Sequence, residues 1–144
     1  MSFGTNTCLT NTGRAMTADR VRTSPATYTK SPIWSAMGKG ATGAGRTADV
    51  TNTSLSLETE MRGSGAESVA TFSVTGDTYQ NVGLIVATTA CSTSAQSIDE
   101  AGLFDASSSG GGNMFASGTF SVQTLNPGDT LQLTWLVTYS TSTH

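Results

Sequence analysis

The chain has 144 residues, a length that suits one domain with a sizeable core. Only 12% of them are charged, against about a quarter in an average soluble protein, and 26 Thr and 19 Ser supply the polarity instead. The net charge of −3, seven basic groups thinly spread and no apolar run of membrane-spanning length argue against a nucleic-acid binder and a membrane span.

Hydroxyl-rich, charge-poor chains suit pleated sheet surfaces, because Thr is β-branched. Disorder is the competing reading of so much Ser, Thr and Gly, but here the apolar residues are periodic and the aromatics fall inside the periodic stretches. The charges are lopsided. Arg14, Arg20, Arg22, Lys30, Lys39, Arg46 and Arg62 all lie in the first 62 residues, whereas Glu67, Asp77, Asp99, Glu100, Asp105 and Asp129 follow with no basic group among them. A basic half of this kind is expected to meet an acidic surface, such as the C-terminal half of a neighbouring copy.

Met1 to Asn11 reads as a polar arm with Phe3 and Leu9 as its large apolar groups, and no charged-then-apolar leader opens it. The expectation is a soluble protein made in a cytosol. Thr12 to Arg22 predicts a short helix with Asn11 or Thr12 as its N-cap and Met16, Arg20 and Val21 near one side. Pro25 and Pro32 mark an extended connector. The expected organisation is therefore an arm and helix over 1–32 and a β domain over 33–144.

Ile33 to Met37 is a short apolar strand running into a glycine loop, Gly38 to Gly45, that matches G-x-G-x-x-G. A dinucleotide site would need a helix straight after it, and a P-loop would need Gly-Lys-Ser/Thr. Neither follows, so an exposed loop is expected. Leu55, Leu57, Thr59 and Met61 alternate with polar residues as a half-buried strand, and Gly63-Ser64-Gly65 reads as a turn. Ala70, Phe72 and Val74 alternate next, Gly76-Asp77 turns the chain, and the run Val82 to Ala87 suits a strand buried on both faces.

The closing stretch from Ile98 to Tyr139 is the most regular. Met114, Ala116, Gly118, Phe120 and Val122 alternate, and a polar loop over 107–112 precedes them. Asn126-Pro127-Gly128-Asp129 is a type II turn by composition, since Pro127 pre-sets φ and Gly128 accepts positive φ. Leu131, Leu133, Trp135, Val137 and Tyr139 then point one way, with Leu136 the apolar intruder on the other face. About seven or eight strands with turn signals between them predict a mainly β, antiparallel, β-sandwich or jelly-roll-like fold with one short helix.

No catalytic constellation is visible. The single His is His144, with no second group to orient it. Asp99 and Glu100 are adjacent, which on a regular strand sends them to opposite faces; a distant carboxylate pair such as Glu58 with Asp105 stays open. Cys8 and Cys91 form neither a metal motif nor CxxC and read as two small apolar side chains rather than a disulfide. No metal or other cofactor is expected. Trp34, Phe72, Phe104, Phe115, Phe120, Trp135 and Tyr139 read as core. The strands after Arg62 contain no Lys, the usual guard of an edge strand, so their edges are expected to be covered internally or by neighbouring subunits.

In order, Asn11-Thr12-Gly13-Arg14, Ile33 to Gly40, Asp77 to Gly83, Ile98 to Asp105, Asn113 to Ala116 and Asn126 to Leu131 resemble a family of small structural proteins of tailed bacteriophages. The match spans most of the chain, and EAGLFDA at 100–106 with NPGDTLQLTW at 126–135 is its most specific part. The segment 41–49 lacks the proline of the family's usual Thr/Ala/Pro-rich text. The resemblance implies a non-enzymatic virion component in the head, neck or tail, with no catalytic residues. The reading is a capsid decoration (cement) protein, homo-oligomeric, assembled in the bacterial host cytoplasm, with other copies and the major capsid or tail proteins as partners. Phe3, Leu9, Arg14, Arg20, Arg22, Lys30 and Arg46 are the candidate interaction residues, and truncation of residues 1–11 is expected to spare the fold while abolishing incorporation. The alternatives are a tail, neck or fibre-attachment component, and a glycan-binding module with Tyr28 or Tyr79 stacking on sugar.

Overall fold

The computed structural model describes residues 6–19, 27–75, 78–92 and 94–141. Seven strands and one helix follow in the order β1 (Asn6–Leu9), α1 (Asn11–Asp19), β2 (Trp34–Gly38), β3 (Glu58–Thr75), β4 (Thr78–Ala90), β5 (Gln96–Phe104), β6 (Met114–Leu125) and β7 (Thr130–Thr141). All strand pairs are antiparallel, in the spatial order β1-β6-β5-β2-β3-β4-β7. Within it, β5 returns beside β2 to complete a Greek key with β3 and β4. The protein is thus mainly β and antiparallel, with one short helix.

The sheet doubles back through β3. Residues 58–64 of that strand pair with β2, whereas residues 65–75 pair with β4. This carries β4 and β7 across the face of β2 and β5, giving a sandwich-like domain. Met37, Leu103 and Ala101 from one layer and Ile85 and Trp135 from the other share one buried cluster, against which Leu131, Leu133 and Val137 pack. The Trp135 indole Nε1 donates to Ser35 Oγ at 2.9 Å, which satisfies the one polar atom that this large side chain carries into the core. On the opposite face of the sheet, Ala36, Phe104, Met114 and Leu55 form a second cluster beside Trp34. Leu55 comes from the long 39–57 connection, so this connection covers the outer face as a third layer.

Several elements differ from expectation. Gly63-Ser64-Gly65 is strand, not turn: Gly63 lies so close to the Thr88 carbonyl that a Cβ could not fit between them. The glycines allow β3 to pass tightly over β4 as it changes partners, a use that composition alone does not separate from a turn. Residues 54–57 are not strand, so Leu55 is buried while Leu57 is 55% exposed. The arm is strand from Asn6 to Leu9, paired with β6. The N-cap is Thr10, whose Oγ1 accepts from the Gly13 amide at 2.9 Å and whose carbonyl accepts from the Arg14 amide. A jelly roll needs two Greek keys; among the described residues the strand order contains one, so the sandwich-like part of the expectation is what the structure shows. The Gly76-Asp77 turn and the Arg20 and Val21 part of the helix lie outside the described residues, as do the side chains of 66–84 on which the inner-strand expectations rest.

Candidate functional site

The charged side chains of the interior are used to fasten loops. Asp99 and Glu100 sit on β5 where its pairing with β6 slips between Ile98 and Glu100. That slip, rather than regular alternation, lets both carboxylates reach the 39–57 connection, so they do not serve opposite faces as expected. Asp99 accepts from the Ala41 amide at 3.1 Å and the Thr42 amide at 2.8 Å. Glu100 accepts from the Ser56 amide at 2.5 Å and the Leu57 amide at 3.2 Å, with Arg46 Nε at 3.9 Å from its other oxygen. Gly38 makes room for it, since a Cβ there would stand 2.8 Å from Glu100 Oε1.

The two carboxyls titrate in opposite directions. Burial pushes Glu100 up, and the amides of Leu57 and Ser56 with the Arg46 charge only partly offset it. Burial also acts upward on Asp99, but the bonds from Thr42 and Ala41 outweigh it and hold that carboxyl below its ordinary value. The G-x-G-x-x-G loop is closed by the same contacts. Two of its amides, of the kind that cradle phosphate in nucleotide-binding loops, point at Asp99 of their own chain.

A second fastening holds residues 105–113. Arg62 is buried, at 7% exposure, and its guanidinium forms a bidentate pair with Glu58 at 2.7 and 3.0 Å. It also donates to the carbonyls of Ala106 and Gly111 at 2.8 Å each and lies 3.7 Å from the centroid of Phe104. Glu58 further accepts from the Gly110 amide at 3.1 Å. Burial acts upward on its carboxyl, and the Arg62 and Gly110 bonds outweigh that and hold it below its ordinary value. Asp105 accepts from the Asn113 amide at 2.6 Å and its side-chain Nδ2 at 2.8 Å. Glu58 and Asp105 therefore do serve one region, each engaged by hydrogen bonds to the loop rather than facing the other across a cleft.

Four of the candidate interaction residues, Leu9, Arg14, Lys30 and Arg46, lie among the described residues. Arg14 is exposed on α1 and Lys30 is exposed on the connector before β2. Leu9 packs against the main core. Arg46 is turned inward, bonding the Ser54 carbonyl and pairing with Glu100. Phe3, Arg20 and Arg22 lie outside the described residues. Within the chain, Arg46 of the basic half meets Glu100 of the acidic half. Tyr28 is partly buried and packs against the core, and the Tyr79 side chain lies outside the described residues. Cys8 and Cys91 are free thiols.

Two surface features stand beside these contacts. One is a shallow depression of about 690 Å³ between the 39–57 connection and the sheet, lined by Lys39, Thr42, Ser56, Asp99 and the exposed Leu57 and Val122. The other is the outer side of β7, which ends the sheet. Among the described residues, no group of three or more His, Cys, Asp or Glu could hold a metal ion, and no helix is long and apolar enough to cross a membrane. Comparisons with protein-family models, with characterised proteins and with solved structures give no match.

Proposed function

We propose that this protein is a non-enzymatic structural component of a tailed-phage virion, and specifically a decoration (cement) protein that sits on the capsid and stabilises it. The observation that carries this reading is the employment of the buried charges. Asp99, Glu100, Asp105, Glu58 and Arg62 each bind loop backbone or one another. They are spent on holding the 39–57 and 105–113 segments down on a sheet. A chain built in this way presents a fastened, hydroxyl-rich exterior, which suits a part that adheres to a larger particle. The motifs EAGLFDA and NPGDTLQLTW support the same reading through the resemblance they carry, and the first supplies two of the fastening carboxylates, Glu100 and Asp105.

The test is reconstitution on shells that lack the protein. Purified protein added to such shells should co-sediment with them and raise their resistance to heat or osmotic shock. Protein left in the supernatant, with shell resistance unchanged, would count against the decoration role and favour placement in the neck or tail.

A further inference from the structure

We infer that β7 is a self-association strand, and that two copies of this chain pair antiparallel along it about a two-fold axis at Leu136. The two edges of the sheet are treated differently. β1 is four residues long and runs directly into α1, so that edge is blunted by shortness. β7 is twelve residues long and keeps unbroken register with β4 from Thr130 to Thr141, with no bulge, proline or charged residue. Among the described residues nothing pairs along its outer side. Such an edge offers a row of amides and carbonyls to another strand, and it lacks the shortness, bulge, proline and charge by which natural proteins refuse one.

The composition of β7 selects its occupant. The outward face carries Thr130, Gln132, Thr134 and Leu136, all exposed, and Leu136 is 63% exposed. A neutral strand gives a charged partner nothing to recognise, whereas it meets its own copy without like-charge opposition. An axis at Leu136 places Leu136 against the Leu136 of the other copy, Thr134 opposite Thr138 and Gln132 opposite Ser140. An apolar pair flanked by uncharged polar pairs brings no like charges together across the strands. The symmetry is isologous, so the contact closes at two copies and does not propagate. This inference rests on the edge strand alone and stands apart from the virion reading.

Sedimentation of the purified chain, combined with Leu136→Lys and with disulfide trapping, tests it. The wild type should be a dimer. Leu136→Lys should weaken dimerisation by about tenfold or more while keeping the melting behaviour of the monomer fold, since the side chain is exposed. Leu136→Cys should form a covalent dimer under mild oxidation, because antiparallel partners lie within disulfide reach. Val122→Cys, exposed elsewhere, should not. A wild-type monomer, an oligomer indifferent to Leu136→Lys, or equal cross-linking of the two cysteine variants would each overturn it.

Discussion

Arg62 shows how a single cation organises a region. It joins β3 to the 105–113 loop through Glu58, two carbonyls and the Phe104 ring, in a site that water barely reaches. Removing one partner of such a pair costs far more than removing both, because the survivor stays desolvated and alone. Arg62→Ala is therefore expected to lower the unfolding free energy by about 3–5 kcal/mol in a urea titration. The double substitution Arg62→Met with Glu58→Gln should recover part of that loss, and equal losses in the two proteins would contradict this picture.

Glu100 makes the opposite demand on pH from its neighbours. Its folded-state carboxyl is raised above the ordinary value of 4.5, so its contribution is fully present below that value and lost as pH rises through the folded pKa. Asp99 and Glu58 are lowered, so their contributions are present above their ordinary values, 3.8 and 4.5, and lost as pH falls through the folded ones. Glu100→Gln cannot titrate. Relative to the wild type, its melting temperature should accordingly be poorer at pH 4 than at pH 7. A difference that stays flat or grows with pH would show that the carboxylate, not the acid, is the favoured form.

Among the elements, the 39–57 connection is the one whose structure depends most on distant residues. Its amides at Ala41, Thr42, Ser56 and Leu57 bond carboxylates on β5 more than forty positions away in the sequence. Hydrogen exchange should find these four amides slower than the exposed amides of Gly43 and Thr53. In Glu100→Ala, Ser56 and Leu57 should speed up while Ala41 and Thr42 change little; uniform loss across the connection would mean that it opens as one unit.

The same dependence explains what the sequence revealed. β7 was legible because its signal is local: alternation from Leu131 to Val137, with the Asn126 carbonyl accepting from the Asp129 amide and Gly128 at φ +95° in the turn before it. The cover layer was not legible, since polar and glycine-rich text of this kind reads as free loop until the register slip beside Asp99 is known. Gly63 and Gly65 mimicked a turn because close backbone approach and chain reversal call for the same residue. The inward turn of Arg46 carried no local signal at all.

For the chain as a whole, β1 and Thr10 alter what a truncation can mean. Deleting residues 1–11 removes a paired strand and the helix cap together, so the expectation that it spares the fold does not survive. Deletion of residues 1–5 is the informative version. The charge asymmetry also changes meaning, because Arg46 and Glu100 satisfy part of it internally and Asp99 and Asp105 are buried. Among the described residues, Arg14, Lys30, Asp49 and Asp129 remain exposed on an exterior rich in hydroxyls.

The most direct measurement of the proposed virion role is the number of copies of this protein per particle, read by quantitative mass spectrometry against the major capsid protein in virions purified from cells that produce this chain. A decoration role predicts copies in the hundreds, in simple proportion to the shell lattice. A few copies or tens would place it in the neck or tail, and absence from the purified particle would contradict a structural role in the virion altogether.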